Sequence, residues 1–111
     1  MEINFLPAPV QGQLYQIALS TSATSAIDTG ATDVTGPLKY IFTPTVDMWI
    51  KFYPTNGAEL TDPVATDVTG DTIGMFVPAG VSFPWRCSAR ESRYFKAIST
   101  SSGYLSYVRV R

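Results

Sequence analysis

The sequence predicts an all-β chain: a single antiparallel β-sandwich, jelly-roll-like, of about seven to eight short strands with an extended N-terminal arm. Three observations lead there. β-branched and aromatic residues fall in short runs that alternate with polar ones, the period of a half-buried strand. Tracts rich in Ser, Thr, Gly, Pro and Asp separate these runs and supply turns. No stretch repeats its apolar residues at the spacing of an amphipathic helix. With 111 residues the chain has room for one core and no second domain, so it divides into an arm, residues 1–12, and a sandwich, residues 13–111.

In the arm, Ile3, Phe5, Leu6 and Val10 are apolar, while Pro7 and Pro9 hold the backbone extended and remove ladder donors. Such a segment needs a surface to lie on, which makes Ile3, Phe5 and Leu6 candidates for burial against a neighbouring subunit. The first strand is expected over 13–20, with Tyr15, Ile17 and Leu19 on one face and Leu14, Gln16 and Ala18 on the other. Small hydroxyl and turn residues then fill 21–37 and predict a long surface loop with a short edge strand near 26–29. Leu38, Tyr40 and Phe42 alternate with Lys39, Ile41 and Thr43. After Pro44, a second alternation sets Val46, Met48, Ile50 and Phe52 against Asp47, Trp49, Lys51 and Tyr53, giving two successive strands. Pro54, Asn56 and Gly57 end the second, and a polar tract runs to Gly70. Four further strands are expected over 73–77, 81–87, 94–99 and 104–110, with turns at Pro78-Ala79-Gly80 and Ser101-Ser102-Gly103. The hexapeptide ATDVTG occurs at 31–36 and again at 65–70. Two Asp-containing turns leading into core strands explain it more economically than an internal duplication.

The composition argues against chemistry. There is no histidine, so the commonest general base and the commonest metal ligand are both missing. Asp47, Glu59 and Glu91 could in principle form an acid–base pair, but nothing around them marks them, and the chain is read as no enzyme. The spacing of Asp28, Asp33, Asp62, Asp67 and Asp71 matches no calcium loop, and neither a metal nor any other cofactor is expected. The lone Cys87 cannot close an internal disulfide and is expected to pack as a small apolar residue. No apolar run is long enough for a membrane span, and the N-terminus, with Glu2 and two prolines, does not resemble a secretory signal.

Two groups of residues are left for recognition. The aromatics are numerous, and Trp85, at period two with Phe83 and Cys87, is expected in the core. Trp49 and Tyr53 lie opposite the Met48, Ile50 and Phe52 face and are the candidate interface anchors. A carbohydrate-binding module is the main rival reading, in which Trp49, Tyr53 and Tyr107 would form an exposed stacking platform. The charges are lopsided: residues 86–111 hold Arg86, Arg90, Arg93, Lys96, Arg109 and Arg111 against Glu91 alone, although the net charge is −1. Without a recognition motif this does not amount to a nucleic-acid site. Arg90 and Arg93 are instead candidates for docking on an acidic surface of a partner protein.

The segments VDMWIKFYP at 46–54, MFVPAGVSFPWRC at 75–87 and KAISTSSGYLSYVRV at 96–110 together resemble the small β-sandwich virion proteins of tailed bacteriophages. The resemblance covers residues 38–110, and the order of the segments carries it more than any one of them. It implies a structural protein that decorates or cements the capsid shell, or another head or tail completion protein. It further implies binding to the major capsid protein, assembly as a dimer or trimer, and a place on the capsid exterior after synthesis in the bacterial cytoplasm. Two tryptophans and the basic cluster Arg86, Arg90 and Arg93 depart from the family pattern.

Overall fold

A computed structural model describes residues 14–56, 62–63 and 74–110. The strands are β1 (Leu14–Leu19), β2 (Ile27–Asp28), β3 (Leu38–Pro44), β4 (Met48–Tyr53), β5 (Met75–Val77), β6 (Phe83–Cys87), β7 (Tyr94–Ser99) and β8 (Gly103–Val110). They form two antiparallel four-stranded sheets, ordered β1-β8-β3-β6 and β2-β7-β4-β5. The all-β sandwich is thus as expected. Its pairings, β1 with β8, β2 with β7, β3 with β6 and β4 with β5, are those of one long hairpin rolled up so that β3 also meets β8 and β4 meets β7. That is jelly-roll topology. Every connection except β4–β5 crosses from one sheet to the other, which is what holds the two layers face to face.

The core follows from the alternation. Leu38, Tyr40, Phe42 and Pro44 of β3 are all buried, and Lys39, Ile41 and Thr43 point the other way. Phe42, fully buried, has the rings of Tyr40, Phe52, Phe83, Phe95 and Tyr107 around it at 5.2 to 6.0 Å between centroids. Two of these contacts, with Phe52 and Phe95, are edge-on, an arrangement that aromatic quadrupoles favour. Met48, Ile50, Ala97 and Leu105 complete the centre, and Cys87 is buried within it. Trp85 faces inward as expected, half-buried and stacked on Phe52 at 4.7 Å.

Two tie-points fix the ends. At one, Gly80 N–H donates to the Pro44 carbonyl (2.7 Å), Ala79 N–H to Asp47 Oδ1 (2.8 Å), and Thr45 N–H to the Tyr104 carbonyl (2.8 Å), so three inter-sheet turns brace one another. Gly103 has no room for a side chain here, since a Cβ would lie 2.7 Å from Val46 Cγ2. At the other end, Thr29 donates to the Arg93 carbonyl from both its N–H (2.8 Å) and its Oγ1 (2.6 Å), and Tyr40 Oη donates to the Thr29 carbonyl (2.6 Å). Residues 20–28 run along β7 between the two ends as a broken edge strand, bonded at Ser20 and Thr24 before β2 forms. The ATDVTG echo does not extend to the strands that follow: Phe42 is buried, whereas Phe76 is half exposed on an outer face. The second copy, at 65–70, lies outside the described residues.

Candidate interaction surface

The two outer faces differ. On the β2-β7-β4-β5 sheet, Trp49, Lys51 and Tyr53 project outward beside Phe76, Ile98, Lys96 and Tyr94. Asp62, from the β4–β5 connection, reaches over this face and accepts from Lys96 Nζ at 2.8 Å. Trp49 rests under Phe76 (4.9 Å), and Lys51 and Lys96 both lie over the Tyr53 ring. Only 8% of Trp49 and 5% of Tyr53 is exposed. Burial, with the Asp62 charge adding to it, pushes the Tyr53 hydroxyl up to about 12.

The outer face of the β1-β8-β3-β6 sheet carries no such cover among the described residues. Register aligns its outward side chains in rows across all four strands. Leu14, Val108, Ile41 and Pro84 form one apolar row, from edge to edge of the sheet. On one side of it lie Val110, Lys39 and Arg86; on the other lie Gln16, Ser106 and Thr43, the last bonded to Ser82. Tyr104 and Ala18 end the face, and Leu14 and Tyr104 are 63% and 51% exposed. No strand of this sheet contains Asp or Glu, and neither Lys39 nor Arg86 forms an ion pair among the described residues.

The candidates read from sequence are dispersed. Ile3, Phe5 and Leu6 lie outside the described residues. Trp49 and Tyr53 face outward as the alternation requires, but Phe76, not Trp49, is the aromatic left exposed above that strand. Arg93 is engaged within the fold, with Nε and Nη2 donating to the two carboxylate oxygens of Asp28 at 3.1 and 3.0 Å and the guanidinium lying over Tyr94. Arg90 pairs with Asp33 at 3.5 Å on the open surface. The basic C-terminal residues do not converge: Arg86 is on one outer face, Lys96 on the other, and Arg109 on the inner side of β8. Nor do Trp49, Tyr53 and Tyr107 form a platform, because Tyr107 faces the core. The alternation that marks Phe42 and Leu105 as core also marks Ile41 and Val108 as outward. Their alignment into a row depends on pairings between distant strands, which no local pattern encodes.

One concavity opens at the sandwich end near Thr29, walled by Tyr15, Tyr40 and Tyr107, with Arg109 and Thr35 at its rim. Tyr15 and Tyr107 stack at 5.2 Å. Burial pushes Tyr40 up to about 12 and raises Tyr107. Among the described residues no group of His, Cys, Asp and Glu could hold a metal ion. Comparison with known proteins identifies no relative: no family profile matches, and no curated protein or solved structure is significantly similar.

Proposed function

We propose that the chain is a structural virion protein without catalytic activity: a capsid decoration or cement protein that binds the major capsid protein and stabilises the shell. On this reading it is made in the bacterial cytoplasm, acts on the capsid exterior and assembles as a dimer or trimer. The observation that carries the reading is the uncovered sheet face. An apolar row on the outward side of four strands, exposed at its Leu14 and Pro84 ends and partly exposed at Val108 and Ile41, is what a protein that works by contact area presents, since contiguous apolar surface on an outer face usually marks an interaction site. Jelly rolls serve viral shells and lectins alike, so fold alone does not choose between them. The three segments resembling phage virion proteins fall on β4, on β5 to β6, and on β7 to β8. On a particle, symmetry repeats each weak contact many times and avidity supplies the strength.

The test is sedimentation of the purified chain with assembled shells, followed by a reconstruction of the loaded particle at side-chain resolution. Stoichiometric density on the shell exterior is expected. Failure to load, or density only in the tail, overturns the assignment. Carbohydrate binding is a second reading with one observation on its side, the tyrosine-walled concavity beside Arg109. Retention on a glycan array that is lost in Tyr15→Ala would select it.

A further inference from the structure

We infer that the outer face of the β1-β8-β3-β6 sheet docks another protein whose surface is apolar at its centre and bears carboxylates opposite Lys39 and Arg86. The inference rests on the reading of the chain as an assembly protein and names the chemistry of its partner. Three features of the face lead to it.

The apolar row is continuous. A single exposed leucine is unremarkable on a protein surface, but Leu14, Val108, Ile41 and Pro84 are aligned by register on four adjacent strands, the two central ones partly exposed, and a row of that length fits a second protein surface. The cations beside it form no ion pair among the described residues, whereas Arg93, Arg90 and Lys96 are held by Asp28, Asp33 and Asp62. Lys39 and Arg86 occupy paired positions on neighbouring strands, so two like charges sit side by side, an arrangement that is unfavourable until an anion is brought to them. Finally, the sheet contains no acidic residue. A second copy docking through the same face would bring only the same acid-free surface, because an isologous contact must supply its own counter-charges. Nucleic acid is a poor fit as well, since the centre of the face is aliphatic and offers no aromatic stacking row. Charge complementarity therefore selects a different protein with an acidic rim.

The experiment is zero-length carbodiimide cross-linking of the full chain, in particles and in lysate of the producing cell, with the joined peptides sequenced. Lys39 is expected to join an Asp or Glu of a different protein. The double variant Lys39→Glu, Arg86→Glu should reduce co-sedimentation with that protein by about tenfold or more, whereas Lys51→Gln, on the opposite outer face, should change it less than about twofold. Val108→Asp, checked for folding by its circular dichroism and unfolding midpoint, should give a loss as large as the double variant. A Lys39 cross-link to a protein that is not part of the shell upholds the docking face and removes the capsid assignment if the double variant also loses co-sedimentation with that protein, and overturns the docking face if it does not. Normal loading of shells by both face variants upholds the capsid assignment and overturns the docking face. Lys39 cross-links only to a second copy of the chain, or no Lys39 cross-link at all, also overturn it.

Discussion

At the scale of single residues the fold depends most on Phe42 and on polar groups buried near it. Phe42 sits among five rings, and removing its side chain loses both transfer free energy and the contacts around the cavity left behind. Phe42→Ala should cost about 3–5 kcal/mol, a large part of the roughly 5–15 kcal/mol typical of a domain, and urea unfolding would show a sharply lowered midpoint. Alkaline pH tests the buried hydroxyls. Burial raises the Tyr40 and Tyr53 phenols from 10.0 to about 12 and the Cys87 thiol from 9.0 to about 12, so the folded chain favours the neutral forms. For a folded-state value above the unfolded one, the stabilisation is complete below the unfolded value and is lost as pH rises through the folded value. Stability should therefore decline from about pH 9 to 12, first through Cys87 and then through the tyrosines. Tyrosinate absorbance of the native chain should lag behind that of the denatured chain over the same range. Coincident titrations would mean that Tyr40 and Tyr53 are accessible.

Among the elements, β2 is the weakest, with two residues on the β7 edge held as much by side chains as by its ladder. The Arg93 guanidinium, bonded to both Asp28 oxygens, holds the Asp28 carboxyl below its ordinary 3.8. A depressed folded-state value stabilises above the unfolded one, so this contribution should be present above pH 3.8 and fall away as acid protonates the carboxylate. Asp28→Asn should open β2 locally, read as faster hydrogen exchange at the Thr29 amide that bonds the Arg93 carbonyl, with little change at Phe42 or Leu105. The strands themselves were legible: the alternations around Tyr40, Ile50 and Phe95 locate β3, β4 and β7 closely, and the glycine and proline turns separate the later ones. Partnerships were not. Arg93 meets Asp28 across 65 positions of sequence, and Lys39 meets Arg86 through a pairing that only the rolled-up hairpin creates, so the paired and unpaired cations could not be told apart from local pattern. The same limit hid the burial of Trp49, whose outward direction follows from alternation but whose ring contact with Phe76 depends on another strand.

For the whole molecule, the order of pairing makes β1 an integral wall, because it is the edge partner of the last strand in the chain. β1 contributes Leu19 to the buried core and packs Tyr15 and Ile17 against it, while its outward Leu14 begins the exposed apolar row. Two truncations separate these contributions from that of the arm. A chain beginning at Gln13 keeps every described strand, and its unfolding midpoint should shift little. A chain beginning at Ser20 loses the buried Leu19, worth about 1.5–3 kcal/mol, and the partly buried Tyr15 and Ile17, together with the whole β1–β8 ladder, and leaves β8 as an unpaired edge. That loss approaches the whole stability of a small domain, and the shorter chain should be largely unfolded or aggregated. Loading on shells then divides the work between arm and face. If Ile3, Phe5 and Leu6 lie on a neighbouring subunit, as the proline-bearing arm suggests, the Gln13 chain should remain folded and lose most of its attachment. If the sheet face carries the contact alone, the Gln13 chain should load as well as the full chain, and only the variants of Lys39, Arg86 and Val108 should fail.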